Sequence, residues 1–259
     1  MTEDRFSRIR QMVGEEGFKR LSEAHVAIMG LGAVGSYATE ALARAGVGHL
    51  RLVDFDRIRG TNINRQLFAL DSTVGEPKTE VAKRRVADIN PGCQVEAMDM
   101  FIDAGTIDAA LAGRLDIVID AIDSLAPKVE LLSQSLKRGL KVISAMGAAL
   151  RTDPSQVRVG SLSEVHHCPL ARGVRRRLRR RGFGIDVCCV FSTEPVDALR
   201  KAAITYDRPD EDETLHRGRK RTVLGSLPTL TGIFGLVAAN TAIQWLVKGD
   251  PPDEEKDEG

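Results

Sequence analysis

The chain has 259 residues, 42% of them hydrophobic, and a formal net charge of +1 at pH 7. This length suits one large α/β domain or one domain with an appendage, and the balanced charge excludes a partner attracted by net charge alone. The four cysteines and the polar, charged N-terminal residues are typical of neither a secreted protein nor a transit peptide, so we expect a cytoplasmic protein.

The predicted elements alternate regularly along the first 150 residues. In chain order they are a helical segment at 5–24, strand 26–29, helix 36–45, strand 50–53, helix 79–90, strand 94–100, helix 106–111, strand 116–120, helix 128–138 and strand 141–144. Such alternation predicts a Rossmann-like α/β fold, a mostly parallel sheet with helices on both faces. Right-handed crossovers then place the carboxyl ends of the strands along one edge of the sheet.

After residue 150 the pattern loosens, and we expect this part to complete the same domain. Short strands are predicted at 157–159 and 187–192, on either side of an arginine-rich helix at 170–182. The apolar segment 223–247 is interrupted by Pro228, by three glycines and by the polar residues Asn240 and Gln244. A membrane span would need about 20 mostly apolar residues with few interruptions, so we expect a buried core helix without stable membrane insertion.

A glycine-rich turn follows the first strand. The sequence GLGAVG at 30–35 places Gly30, Gly32 and Gly35 between that strand and the next helix. Glycines let the backbone turn tightly and approach a phosphate, and the helix N-terminus offers N–H groups to it. Asp54, at the end of the second strand, is placed to accept hydrogen bonds from a ribose. These features predict a site for NAD, FAD or ATP.

A short polar segment after Asp54 distinguishes these ligands. Its polar side chains are Asp56, Asn62, Asn64, Arg65, Gln66 and Lys78. A nicotinamide would need apolar walls here, whereas Arg65 and Lys78 suit the β- and γ-phosphates of a triphosphate. Asp123, just after an apolar strand, could hold a Mg²⁺ ion bound to those phosphates. The sequence therefore favours ATP with Mg²⁺ over a solvated charged loop on an NAD-dependent enzyme.

These motifs resemble those of the ubiquitin-activating-like adenylating enzymes. The matching segments are GLGAVG at 30–35, DFD at 54–56, NINRQ at 62–66, VGEPK at 74–78 and DAID at 120–123. The resemblance covers roughly residues 5–150 and is specific because the series keeps the family's order and spacing. It implies that a substrate carboxylate attacks the α-phosphate of ATP, forming an acyl adenylate and pyrophosphate.

The resemblance also implies a role for each matching residue. Three glycines, Gly30, Gly32 and Gly35, would line the phosphate turn, Asp54 would bind the ribose, and Asp56 would be a further nucleotide-binding residue. The residues that would hold the triphosphate or act in catalysis are Asn62, Arg65, Gln66, Lys78 and, through Mg²⁺, Asp123. Arg5 is similar to an arginine that the family extends across a dimer interface to the partner's ATP, which implies a homodimer.

Within this family the chain is similar to the tRNA threonylcarbamoyladenosine dehydratases. The supporting segments are TNINRQ at 61–66, DAIDS at 120–124, PLA at 169–171 and VFSTE at 190–194. The resemblance implies that the carboxylate of threonylcarbamoyladenosine, next to the tRNA anticodon, is adenylated. A nucleophile of the same side chain then displaces AMP and closes a five-membered ring, with net loss of one water.

Arginines are concentrated in one predicted helix. Seven of the ten residues at 172–181 are arginine, and those expected to contact tRNA are Arg172, Arg175, Arg176, Arg177, Arg179 and Arg180. Such a cluster neutralises nucleic-acid phosphates, so binding should weaken with salt. The alternative is a solvated basic face balanced by the acidic residues near the C-terminus.

The chain is accordingly divided into four parts. These are a helical arm at 1–24, an ATP-binding Rossmann-like core at 25–150, a substrate- and tRNA-binding part at 151–248 and a disordered acidic tail at 249–259.

Two other functions remain open at this point. One is adenylation of the C-terminal glycine of a ubiquitin-like sulfur-carrier protein, although relatives of that kind usually carry paired CxxC motifs and this chain has none. Cys188 or Cys189 could supply a thiol or a sulfur-relay site, so a sulfur-relay protein is also a candidate partner. The other is a non-catalytic binding module, which should have lost the phosphate ligands that this chain retains.

Overall fold

The computed structural model describes residues 4–196, 205–206 and 222–248, so the predicted tail at 249–259 lies outside the described residues. The helices of this part are α1 (Ser7–Glu23), α2 (Gly35–Ala45), α3 (Lys78–Ile89), α4 (Ile107–Ala110), α5 (Leu125–Lys137), α6 (Pro169–Arg180) and α7 (Pro228–Lys248). Its strands are β1 (His25–Met29), β2 (His49–Asp54), β3 (Gln94–Asp99), β4 (Ile117–Asp120), β5 (Val142–Ala145), β6 (Val157–Ser161), β7 (Cys188–Ser192), β8 (Thr205–Tyr206) and β9 (Thr222–Val223).

Seven strands form one twisted sheet in the order β3-β2-β1-β4-β5-β7-β6. All neighbours are parallel except β6, which pairs antiparallel with β7. A strand that is parallel to its predecessor must be reached by a crossover connection, usually a helix, that carries the chain back to the amino ends of the strands. The connection from β5 to β6 has no such helix, so β6 starts at the carboxyl edge and runs back. The predicted Rossmann-like α/β fold is confirmed.

The two faces of the sheet bury two separate apolar cores. Along β1, Val26 and Ile28 face the core shared with α1, α2, α3 and α7, whereas Ala27 and Met29 face the core shared with α4, α5 and α6. This alternation follows from the two-residue repeat of a strand. Because both faces are covered, the central strands are nearly continuous apolar runs, as expected of a parallel sheet.

Helix α7 packs against the start of α2. A Cβ atom at Gly235 would lie 2.3 Å from the carbonyl oxygen of Val34, so only glycine permits this close approach. Leu230, Phe234 and Ala238 are buried in the core. By length and composition α7 is the described helix that could cross a membrane, yet this packing is that of a core helix. The contact fixes the position at which the glycine-rich turn enters α2.

Candidate nucleotide-binding site

The predicted site residues converge on the carboxyl edge of three adjacent strands. Gly30 follows β1, Asp54 ends β2, and Asp123 lies three residues beyond the end of β4. Strand β1 pairs with β2 on one side and with β4 on the other. The sheet extends from β1 through β2 and β3 on one side and through β4 and β5 on the other, so the order of the strands reverses at β1. Open α/β sheets bind ligands at the carboxyl ends of the strands beside such a reversal.

Close backbone packing explains two glycines of the turn. Gly30 has a φ of +94°, and a Cβ atom there would lie 2.9 Å from the Ala121 carbonyl oxygen. A Cβ atom at Gly35 would lie 1.8 Å from the Gly30 carbonyl oxygen. At Gly32, by contrast, the nearest atom would be the Gln66 amide nitrogen at 3.8 Å. Gly30 and Gly35 therefore shape the turn, whereas Gly32 leaves open space beside it.

We expect Gly35→Ala to lower the melting temperature by roughly 2–12 °C, because overpacking typically costs about 1–3 kcal/mol in a protein of this size. The matched control is Gly32→Ala, whose added methyl group meets only ordinary van der Waals contact. Thermal denaturation of the ligand-free proteins followed by circular dichroism measures both. Equal shifts in the two variants would contradict this account of the turn.

The Asp54 carboxylate holds the turn in place. One oxygen accepts a hydrogen bond from the Leu31 N–H at 2.6 Å, and the other accepts from the Asp56 N–H at 2.8 Å. Burial raises the pKa of this carboxyl, although the Lys78 ammonium opposes the shift. Asp54 thus has a structural role that the sequence did not reveal, in addition to its predicted contact with a ribose.

Lys78 brings a positive charge to the same edge. It is the first residue of α3 and is only 4% exposed. Its ammonium nitrogen lies 3.0 Å from an Asp56 carboxylate oxygen and 3.9 Å from an Asp54 oxygen. The pair of carboxylates holds this charge at the carboxyl edge of the sheet, next to the glycine-rich turn.

The loop at 60–67 lies against the N-terminus of α2. The Leu67 N–H donates to the Ser36 hydroxyl at 3.2 Å, and the buried Gln66 amide lies beside Gly32. Arg65 is steadied by its own loop, since one guanidinium nitrogen donates to the Thr61 carbonyl at 2.9 Å and to the Asn64 amide oxygen at 2.8 Å.

Asn62 has a local structural contact of its own. Its side-chain oxygen accepts a hydrogen bond from the Arg59 N–H at 3.1 Å, which stabilises the short 3₁₀ turn Gly60–Asn62. Its amide nitrogen is the group that could reach a phosphate.

Asp123 is exposed and lies at the start of α5. Its carboxylate accepts a hydrogen bond from the Ser124 hydroxyl at 3.2 Å. Within the described part of the chain, no three His, Cys, Asp or Glu side chains cluster as a ready-made metal site. One carboxylate with phosphate oxygens and water is a normal ligand set for Mg²⁺, which the residues here fit.

Arg5 does not reach this site within its own chain. Its guanidinium donates to the Ile89 carbonyl at 2.8 Å, at the C-terminal end of α3. Lys78 begins the same 12-residue helix, so the two ends are roughly 17 Å apart along it. A role for Arg5 at the nucleotide therefore requires a second copy of the chain, as the resemblance implies.

The arginine-rich helix α6 has one exposed face. Its apolar residues Ala171, Val174 and Leu178 are buried, while the exposed arginines are Arg172, Arg176, Arg179 and Arg180. Arg177 is half-buried. Arg175 is also half-buried, and its guanidinium donates to the carbonyls of Leu162 and Val165, so part of its function is structural.

Helix α6 lies next to the nucleotide edge. A Cβ atom at Gly173 would lie 2.9 Å from the Leu125 side chain, two residues after Asp123. The exposed arginine face therefore begins beside the segment that carries the predicted metal ligand.

Neither Cys188 nor Cys189 is activated as a nucleophile. Burial raises the pKa of the Cys188 thiol to about 11. Burial raises the pKa of the Cys189 thiol still further, and this thiol donates to the Val187 carbonyl. Both are therefore protonated near neutral pH, which disfavours a thiol mechanism.

Sequence reasoning missed a buried ion pair and a buried carboxylate at the same edge of the sheet. Lys128 of α5 pairs with Asp120 at the end of β4. Glu194, just after β7, accepts hydrogen bonds from the N–H groups of Thr152 and Asp153 and so holds the loop between β5 and β6. Asp120 and Glu194 belong to segments that the sequence analysis recognised, but their partners are 8 and 42 residues away, and no local pattern indicates these pairings.

The fold and this edge define a nucleotide-binding α/β protein with a glycine-rich turn, two nearby cations and an exposed carboxylate. The chain belongs to the ThiF family, whose model matches residues 6–257.

Two relatives cover most of the chain. The Bacillus subtilis tRNA threonylcarbamoyladenosine dehydratase is 45% identical over 76% of this chain and 77% of its own length. The solved structure of the E. coli tRNA N6-threonylcarbamoyladenosine dehydratase in complex with ATP has a TM-score of 0.81 and 32% identity, with 94% of both chains covered. A Salmonella typhimurium molybdopterin-synthase adenylyltransferase is 36% identical, but over only 59% of this chain and 60% of its own length.

Proposed function

We propose that this protein is an ATP-dependent dehydratase that cyclises threonylcarbamoyladenosine in tRNA. The observation that carries the proposal is the likeness to dehydratases along nearly the whole chain, including the part after residue 150. The phosphate turn, Arg65, Lys78 and Asp123 stand at one sheet edge, as such a reaction requires.

In the first step, the substrate carboxylate attacks the α-phosphate of ATP, and pyrophosphate leaves. The carboxylate is already ionised, so no general base is needed. Arg65 and Lys78 stabilise the charge that builds on the leaving pyrophosphate, and the α2 N-terminus orients the phosphates. Mg²⁺, when bound by Asp123, would neutralise further phosphate charge.

In the second step, a nucleophile of the same modified side chain attacks the activated carbonyl. The bond from that carbonyl to AMP breaks, the nucleophile loses a proton, and a five-membered ring is closed. Cleavage of ATP to AMP and pyrophosphate thus drives the loss of one water from the nucleoside, because the oxygen that the carboxylate loses leaves as part of AMP. Neither Cys188 nor Cys189 is needed in this sequence of steps.

The tRNA would lie along the exposed face of α6. Arg172, Arg176, Arg179 and Arg180 present positive charge next to the segment that carries Asp123, which suits a polyanion whose modified base enters the nucleotide edge. The half-buried Arg175 and Arg177 would support this face.

We also propose that the protein acts as a homodimer in the cytoplasm. Arg5 would then reach the ATP bound by the partner, because it cannot reach the site of its own chain.

The sulfur-carrier alternative is less well supported. The similarity to the molybdopterin-synthase adenylyltransferase covers only 59% of the chain. The cysteines Cys93, Cys168, Cys188 and Cys189 have no CxxC spacing. A structural zinc of that kind therefore has no ligands of the usual pattern here.

The proposal is tested by mass spectrometry of nucleosides from tRNA that carries threonylcarbamoyladenosine. After incubation with the protein, ATP and Mg²⁺, we expect the modified nucleoside to lose the mass of one water. Reactions without ATP, and reactions with the Arg65→Ala variant, serve as controls. An unchanged nucleoside with ATP bound would refute the proposal and favour a sulfur-carrier substrate, to be sought as a small protein ending in Gly-Gly.

A further inference from the structure

A buried polar cluster lies directly beneath the nucleotide edge. The Lys128 ammonium donates to an Asp120 carboxylate oxygen at 2.7 Å, and the Ser144 hydroxyl donates to the same oxygen at 2.6 Å. The side chains of Lys128 and Asp120 are both 0% exposed. Lys128 also lies 3.3 Å from the Ser144 hydroxyl, which closes a three-membered network.

This cluster is surrounded by apolar side chains. Asp120 and Ser144 are neighbours in register on β4 and β5, and the core on this side of the sheet includes Met29, Val129 and Cys189. Taking two charges out of water is costly, and an apolar replacement of a buried ion pair is often at least as stable. Stability alone therefore gives a weak reason for an ion pair at this place.

The cluster is connected to the nucleotide site through one short turn. The other Asp120 oxygen accepts a hydrogen bond from the Ile122 N–H at 3.1 Å. The preceding Ala121 donates its N–H to Met29, and its carbonyl oxygen packs against Gly30 of the phosphate turn. Asp123 follows immediately, so the orientation of Asp120 sets both the contact with Gly30 and the start of the segment that carries the metal ligand.

We propose that Lys128, with Ser144, is a positioning residue that fixes Asp120 and thereby places Asp123 for the divalent cation bound with ATP. This inference rests on the proposed function, because it assigns the network to the same site. Groups that orient a metal ligand from behind commonly change metal affinity when they are removed.

The test measures metal binding directly. Electron paramagnetic resonance of Mn²⁺, with a non-hydrolysable ATP analogue at saturation, gives the dissociation constant of the ion for each protein. We expect Lys128→Met to weaken Mn²⁺ binding by about 10–100-fold, the range found when outer partners of metal ligands are removed. Ser144→Ala keeps the ion pair and should weaken binding by less.

Val129→Ala is the matched control. Val129 is the next residue of α5 and is buried in the same core, so its truncation destabilises the packing of the helix while the hydrogen bonds to Asp120 stay in place. We expect its Mn²⁺ dissociation constant to stay within about twofold of wild type, since the truncation removes none of the hydrogen bonds that join Lys128, Ser144 and Asp120. A folded Lys128→Met protein that binds Mn²⁺ like Val129→Ala would overturn the inference.

Two further outcomes keep the inference separate from the proposed function. If Lys128→Met does not fold, Ser144→Ala decides, and Mn²⁺ affinity equal to that of Val129→Ala overturns the positioning role. If the wild-type protein binds Mn²⁺ with the analogue but leaves threonylcarbamoyladenosine unchanged, the proposed function fails, and the affinities of the variants still decide the role of Lys128.

Discussion

Replacing Arg65 with alanine is expected to reduce ATP–pyrophosphate exchange with the modified tRNA by about 10²–10³-fold, the usual cost of losing one preorganised donor from a site of developing charge. The Thr61 carbonyl and the Asn64 amide hold this guanidinium on the loop that packs against α2. Because Arg65 is only half-buried and its partners are local, the melting temperature of the variant should stay near that of wild type.

Lys78→Ala should abolish the exchange as well, but with a different effect on stability. From the sequence alone, both substitutions are expected to leave the fold intact. Lys78, however, is buried between Asp54 and Asp56, so its removal leaves two neighbouring carboxylates without their counter-charge. The free energy of unfolding should therefore fall by about 3–5 kcal/mol, the cost of breaking a buried pair.

Arg44→Ala is the control for this pair of variants. Arg44 lies at the far end of α2 and pairs with Glu40 on the surface, where an ion pair contributes little. Exchange by this variant should match that of wild type. If Arg65→Ala or Lys78→Ala retained full exchange activity, the assignment of the triphosphate site would be wrong.

Replacing Arg172, Arg176 and Arg180 together with alanine is expected to weaken tRNA binding and to flatten its dependence on salt. These three residues follow one stripe of the exposed face of α6. Each lost phosphate contact should lower the slope of log affinity against log salt by about 0.7–0.9, so the triple variant should lose roughly two units or more. Filter binding at several salt concentrations measures this slope.

A charge-matched triple variant provides the control. Lys19, Lys83 and Arg84 are exposed and lie on α1 and α3, on the opposite face of the sheet from α6, so their replacement by alanine removes the same net charge away from the α6 face. This control should keep most of the salt slope. Equal losses in both triple variants would mean that only net charge matters, and an unchanged slope in the α6 variant would place the tRNA on another surface.

Local patterns determined much of the architecture. The apolar strands at residues 26–29 and 50–53 and the glycine turn at 30–35 predicted the start of the Rossmann-like fold, and the observed elements agree within a few residues. The strand order of that fold then brought Gly30, Asp54 and Asp123 to one edge. These predictions succeeded because each depends on residues close together in the sequence, followed by a crossover rule that nearly all such folds obey.

The antiparallel direction of β6 could not be predicted in this way. Its apolar residues are compatible with either direction, and the outcome depended on the loop after β5, which has no crossover helix. The sequence also could not show which arginines of α6 have structural contacts and which are exposed. Arg175 and Arg176 are adjacent and chemically identical, yet only Arg175 meets the carbonyls of Leu162 and Val165.

The sequence by itself therefore determined the fold class, the edge of the sheet where the candidate residues meet and the residue types proposed to serve ATP, because periodicity, glycine turns and strand ends are local properties. Only the tertiary structure decided which charged groups are buried and paired, as in Lys78 with Asp56 and Lys128 with Asp120. It also separated Arg5 from the nucleotide site of its own chain. The physical reason is that burial and pairing depend on which distant segments pack together.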